Sequence, residues 1–259
     1  MPPRRPEGPP PPPPVARVRL RFAKRGRLRF LSQLDLARTF ERGLRRARVP
    51  VAFSAGFSPH PKVSWIGGVP TGAASETEFV EISLTVDVDP EALRVALDAA
   101  LPPGFDLVEC VPAVGGSLAE RIEASRWSIR VPGVPVDDVA SALDLLLARE
   151  SVEVERRTKS GRALVDVRRA VICGVCRADA HDCAILDVVV RHTTPAVRPD
   201  DVLTALGVVS PLTFPVPPEP TRLEQGLIRS DGTLADPLAA PSGAPHHSET
   251  GRLASRLTA

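Results

Sequence analysis

Hydrophobic and polar positions begin to alternate just after the first proline run. In VARVRLRF, Val18, Leu20 and Phe22 fall on one side and Arg17, Arg19 and Arg21 on the other, which predicts a half-buried strand. A turn at Gly26 follows, and the period lengthens. Leu31, Leu34, Ala37, Phe40, Leu44 and Ala47 recur at helical spacing and form the expected buried stripe. Ser32 followed by Asp35 resembles a capping box at the start of that helix, and Pro50 stops it. Arg38, Glu41, Arg42 and Arg45 lie on the opposite side. Strand patterns return at 51–53, in KVSWIGG and in ETEFVEISLTVDV. Asp89 and Pro90 open a helix, PEALRVALDAAL, and FDLVECVPAV reads as a closing strand.

The second half repeats this order. RWSIRV is a strand, VDDVASALDLLLA a helix, and VEVERRT and CAILDVVVRHT are strands with RALVDVRRAVICGVC between them. RPDDVLTALG is a helix, and either LTFPVPP or TRLEQGLI supplies the last strand. The expectation is an α+β protein of two tandem ferredoxin-like (βαββαβ) units, at 15–114 and 125–228. Residues 1–14 are a proline-rich arm and 229–259 a small, polar, proline-broken tail, both expected to be disordered.

Composition narrows the class. No apolar run approaches the roughly 18 residues of a membrane span, and the N-terminus lacks the apolar core of a secretion signal. Four cysteines do not make a disulfide scaffold. A cytoplasmic protein without a membrane partner is expected. Net charge is +2, but residues 15–62 hold thirteen Lys or Arg against Asp35 and Glu41. That excess of eleven leaves −9 for the rest of the chain. Arginine in such density suits phosphate, because its planar fork donates several hydrogen bonds at once.

The chemistry-bearing stretch is FSAGFSPHPKVSW, 53–65. Gly56 permits a positive φ, and Pro59 and Pro61 hold the segment extended. Ser54, Ser58, His60 and Lys62 then project from a stiff loop as donors to an anion, with His60 the candidate acid or base. Alternatively, the loop is a plain connection. Glu76 and Glu78 could be acidic partners of Lys62 or Arg45, but a solvated edge explains them more simply. Cys173, Cys176, His181 and Cys183 contain half a zinc pattern and lack the second half; small buried cysteines are the simpler reading, and no metal or cofactor is implied. His192 reads as a strand-end surface residue, and His246 and His247 lie in the tail. No phosphate-binding glycine loop, hydrolase elbow or dinucleotide fingerprint is present.

From Arg27 to Phe79 the chain resembles a radical-SAM-linked bacterial family of unknown function, whose domain is fused to a radical S-adenosylmethionine protein or encoded beside one. The matching residues are Arg29, Phe30, Ser32, Leu34, Asp35, Glu41, Arg45, Arg46, Phe57, Pro59, His60, Pro61, Lys62, Gly72, Ser75 and Glu76. A weaker match is the Asp-x-Arg pair Asp166 and Arg168, and Arg168 joins the anion-binding candidates. Coverage extends from about Val15 to Phe214. Gln33 stands where the family commonly has histidine, so a two-histidine site does not carry over. The resemblance implies association with a radical-SAM partner. The CxxxCxxC pattern that holds such an enzyme's cluster is missing, so the chain is not that catalyst.

Three functions follow as expectations. The leading one is an accessory module that binds an anion, RNA foremost, on Arg17, Arg19, Arg21, Arg38, Arg42 and Arg45. Ser54, Ser58, His60 and Lys62 would grip one end. The second is an RNA-processing or RNA-modifying enzyme using His60. The third is a protein-interaction subunit. All three place the helix arginines and the His60–Lys62 corner in one positive pocket.

Overall fold

A computed structural model describes residues 11–158 and 161–239. Residues 1–10 and 240–259, which include most of the expected arm and tail, lie outside the described residues. The first alternation becomes β1 (Ala16–Lys24), followed by α1 (Gln33–Arg46), β2 (Val63–Ile66), β3 (Ala74–Leu84), α2 (Pro90–Asp98) and β4 (Phe105–Pro112). β1 is antiparallel to both β3 and β4, and β2 is antiparallel to β3. The strand order is therefore β4-β1-β3-β2. One face buries Val18, Leu20 and Phe22 with Val80, Ile82 and Leu84, under Leu36 and Phe40 of α1. Phe22, Phe40, Trp65 and Phe105 form its aromatic centre, with Phe22 stacked on Phe105 at 4.6 Å.

The second half runs β5 (Ala124–Val131), α3 (Val136–Leu147), β6 (Glu153–Thr158), β7 (Gly161–Asp166), α4 (Val167–Ala170), β8 (Val171–Ala178), β9 (Ala184–Arg191), α5 (Pro199–Val209), β10 (Glu219–Ile228) and β11 (Leu234–Ala235). Its main strands order as β10-β5-β9-β8, all antiparallel. β6 and β7 form a separate two-stranded sheet. The expected strand at VEVERRT is thus β6, outside the main sheet, and β8 takes the place assigned to it. TRLEQGLI, not LTFPVPP, supplies the last main strand. β3 and β10 join in parallel at Ala74–Thr221 and Ser75–Arg222, making one nine-stranded, mostly antiparallel sheet with two separate cores. No helix among the described residues is long and apolar enough to cross a membrane.

The structure departs from the sequence pattern locally in three places. Leu34 is 60% exposed while Leu36 and Gly43 are buried, so the α1 stripe is rotated from the expected one. Gly43 explains it: a Cβ there would sit 2.7 Å from Leu101, so the missing side chain lets α1 press its 36–40–43 edge inward. The expected strand at 51–53 reduces to single bridges, Val51 to Leu84 and Phe53 to Pro61. Finally, 229–239, expected in the disordered tail, folds back. β11 pairs with β10, and Leu238 packs with Phe79, Leu118 and Ile122. The approach at Gly226 is close enough that a Cβ would meet the Ala235 carbonyl at 1.8 Å.

Candidate functional site: a basic helix face and a buried polar seam

Ser32 caps α1, its hydroxyl oxygen accepting from the Asp35 amide at 3.2 Å and its hydroxyl donating to the Asp35 carboxylate at 2.7 Å. The helix then presents Arg38, Arg42 and Arg45 to solvent. Arg38 lies 3.6 Å from Asp35, and Arg42 donates to the Thr39 hydroxyl. Arg45 and Arg48 have no carboxylate partner among the described residues. Arg48 follows the helix with φ +53°, a left-handed position usually held by glycine. Arg45 and Arg48 line a groove of about 270 Å³ with Glu41, Leu44, Val51, Phe53 and Pro61.

The 53–62 loop meets this groove only at its base. Ser54 and His60 hold it closed: the Ser54 amide donates to the His60 carbonyl at 2.9 Å, and the Ser54 hydroxyl oxygen accepts from the His60 amide at 3.0 Å. Gly56 has φ +135°, a conformation that favours glycine. Phe57, Ser58, Pro59, His60 and Lys62 are exposed. Val63 and Trp65 pack toward α1, whereas Ser64 lies beside Arg17, Arg19 and Glu81 on the other face of the sheet. Lys62 precedes β2 at a tight turn, its amide donating to the Ala52 carbonyl at 2.8 Å and the Val63 amide donating to the Pro61 carbonyl at 2.9 Å. The groove beside Arg45 takes Phe53 and Pro61 from the loop, not His60 or Lys62. The His60 imidazole has no hydrogen-bond partner among the described residues.

The β1 arginines are not a free surface. Arg19 is 3% exposed, bonded to Glu81 at 3.0 Å and to the carbonyls of Val114 and Gly116. Arg17 also reaches Glu81. Arg21 is held by Glu109 at 2.7 Å and by Asp236 of the folded-back tail, with its guanidinium over Phe79. Arg25 pairs with Glu76 and Asp106. The β1 part of the positive run is thus neutralised by acids on β3, β4 and the tail. Arg168 is also committed: it donates to the Leu147 and Val171 carbonyls, both at 3.0 Å, clipping α3 to β8. Asp166 caps α4. Burial opposes its charge, but bonds from Ser151, Arg169 and Val152 outweigh that and lower its pKa.

The cysteines are not gathered. Cys173 and Cys176 stand three apart on β8, which sends them to opposite faces. The Cys176 thiol meets the Val136 carbonyl under α3, and Cys173 is exposed. No group of three or more metal-ligating side chains occurs among the described residues. Cys110 is a buried thiol, its pKa pushed up to about 12 by burial.

What pattern reading missed lies at the junction of β3 and β10. Glu78, expected on a solvated edge, is 2% exposed. The register shifts opposite Phe22 and Lys24, giving β3 an extra residue and turning Glu78 inward, away from Glu76. Its carboxylate accepts from Arg222, which also donates to the Gly67 carbonyl at 2.5 Å, and from the Val69 amide at 3.0 Å. Lys24, 2% exposed, donates to the Leu31 carbonyl at 3.1 Å, and burial lowers its pKa against the pull of Glu78. Gln225 donates to the Thr77 carbonyl at 2.6 Å, while its buried side-chain oxygen has no partner among the described residues. The seam is therefore polar, buried and nearly saturated with hydrogen bonds. The signal was faint: an arginine and a glutamine in a strand otherwise alternating toward a core.

A comparison with curated proteins returned no match. The model of a bacterial family described as "Uncharacterized protein conserved in bacteria (DUF2344)" matches residues 17–199, a span holding both the capped basic helix and most of the second core. By that match over most of its length, the chain belongs to the DUF2344 family.

Proposed function

We propose that the protein is a cytoplasmic accessory module that holds an anionic substrate, RNA foremost, for a radical-SAM partner. We read its two halves as ferredoxin-like units, a reading supported by their matched strand orders. The observation that carries the substrate reading is the outer face of α1. Arg42 and Arg45 on that face, and Arg48 just beyond it, stand in solvent without carboxylate partners among the described residues, whereas the β1 arginines are all paired. Few aromatic side chains flank it, so phosphate contacts rather than base stacking would supply affinity, with little sequence readout. The exposed His60 imidazole has no hydrogen-bond partner among the described residues to orient it as an acid or base, which disfavours the enzyme reading.

A second reading has its own support. Phe30, Leu34 and Phe57 are 65%, 60% and 67% exposed, a set of large apolar side chains suited to covering by another protein. The two readings divide on one experiment: co-purification of the chain with the radical-SAM protein, with and without nuclease. A complex lost on nuclease treatment supports a shared RNA. One that survives, in a protein that binds no RNA, supports the protein-interaction role and overturns the substrate role.

A further inference from the structure

The cavity beside the polar seam is distinct from the α1 face and independent of the reading just given. It measures about 320 Å³ and opens between the Gly67–Gly68 loop, β5, β9 and the start of α5. Trp127, Val190, Val197, Pro70 and Pro199 give it mostly apolar walls. Such a lining with a few convergent polar groups is the usual form of a small-molecule site.

The polar groups fall in one corner. Ser125, 1% exposed, lies 2.8 Å from His192 Nε2. Desolvation, then the nearby Arg222 charge, lowers the His192 pKa. Arg222 stacks over Trp127 with its guanidinium 5.4 Å from the ring centroid, but Glu78 neutralises it. The α5 N-terminus supplies nothing further, because Asp201 already accepts from the Arg198 amide and from Arg156. What remains uncompensated is Arg198, an exposed residue of the lining whose side chain forms no ion pair among the described residues.

We propose that this cavity binds a small aromatic carboxylate, its rings against Trp127 and Val190 and its carboxylate on Arg198. Volume and charge both select that class. A dry cavity of about 150 Å³ takes benzene, so about twice that accommodates a two-ring body. One uncompensated arginine fork matches a single carboxylate; a phosphate monoester, carrying nearly two charges, would remain partly unpaired.

Ligand-observed saturation-transfer NMR and calorimetry on the full chain test this with 2-naphthoate, 2-naphthyl phosphate and neutral 2-naphthylmethanol. The naphthoate is expected to bind saturably, about tenfold or more tighter than the alcohol, and no weaker than the phosphate. Arg198→Ala should bring naphthoate down to the level of the alcohol. Ala196→Trp, which fills the mouth from an exposed position, should abolish both, while the melting temperatures of both variants stay near wild type. Arg42→Ala with Arg45→Ala should leave naphthoate binding unchanged, so a failure here is distinct from failure on α1. Absence of saturable binding, equal affinity for acid and alcohol, tighter binding of the phosphate, or indifference to Ala196→Trp would each overturn the assignment.

Discussion

β1 and α1 carry arginines at similar density, yet the fold treats them oppositely. On β1 the arginines face strands on both sides, and antiparallel pairing sets Glu81 opposite Arg19 and Glu109 opposite Arg21. Distant acids are thereby delivered at hydrogen-bond range, and the tail adds Asp236. On the outer face of α1 the available partners are neighbours three or four residues away, and these are few. A strand arginine meets its ion-pair partner by register, whereas an outward helix arginine keeps its charge for solvent or a ligand. Charge density along a chain therefore becomes a surface property only where no strand lies opposite.

The comparison sharpens most at the seam, where charge is deepest. Glu78→Ala should be the most damaging change, costing about 3–5 kcal/mol in urea unfolding, because it leaves Arg222 buried without its carboxylate beside Lys24. An unfolding midpoint near wild type would show that Arg222 reaches solvent. Arg19→Ala comes next. It removes bonds to Glu81 and two carbonyls, with an expected loss of about 1.5–3 kcal/mol, and it should leave anion binding intact. An Arg19→Ala protein of full stability and weakened anion binding would erase the distinction between strand and helix arginines. The smallest effect concerns His192. Its pKa lies below the ordinary 6.5, so the unfolded chain takes up the proton first as pH falls. Stability should be fully present above about pH 6.5 and decline below it, and His192→Gln should flatten that decline.

Much of this was legible in the sequence where neighbours decide. The β1 alternation, the Ser32 cap, the Asp89–Pro90 helix start and the turn at Gly56 all depend on residues within one or two turns, and the structure places each as read. Features decided by distant residues were not legible. The α1 stripe rotated because Leu101 lies against Gly43, and Glu78 turned inward because of an extra residue in β3. The Cys-x2-Cys spacing lost its meaning on a strand, where an odd separation divides two side chains between faces. His192 is exposed, as a strand-end residue should be, but nothing in HTTPAVRP announces that its imidazole meets Ser125. The β1 part of the positive run was read as an open surface because its acids come from other strands and the tail.

The central claim, that the outer face of α1 rather than β1 holds an anion, is tested most directly by titrating a labelled single-stranded RNA against salt. With Arg38, Arg42, Arg45 and Arg48 as contacts, log K against log salt should fall with a slope of about −3. Arg42→Ala with Arg45→Ala should reduce its steepness by about 1.4, and Arg17→Ala should leave it unchanged. A slope near zero, or one that responds to Arg17 and ignores Arg42 and Arg45, would contradict the account.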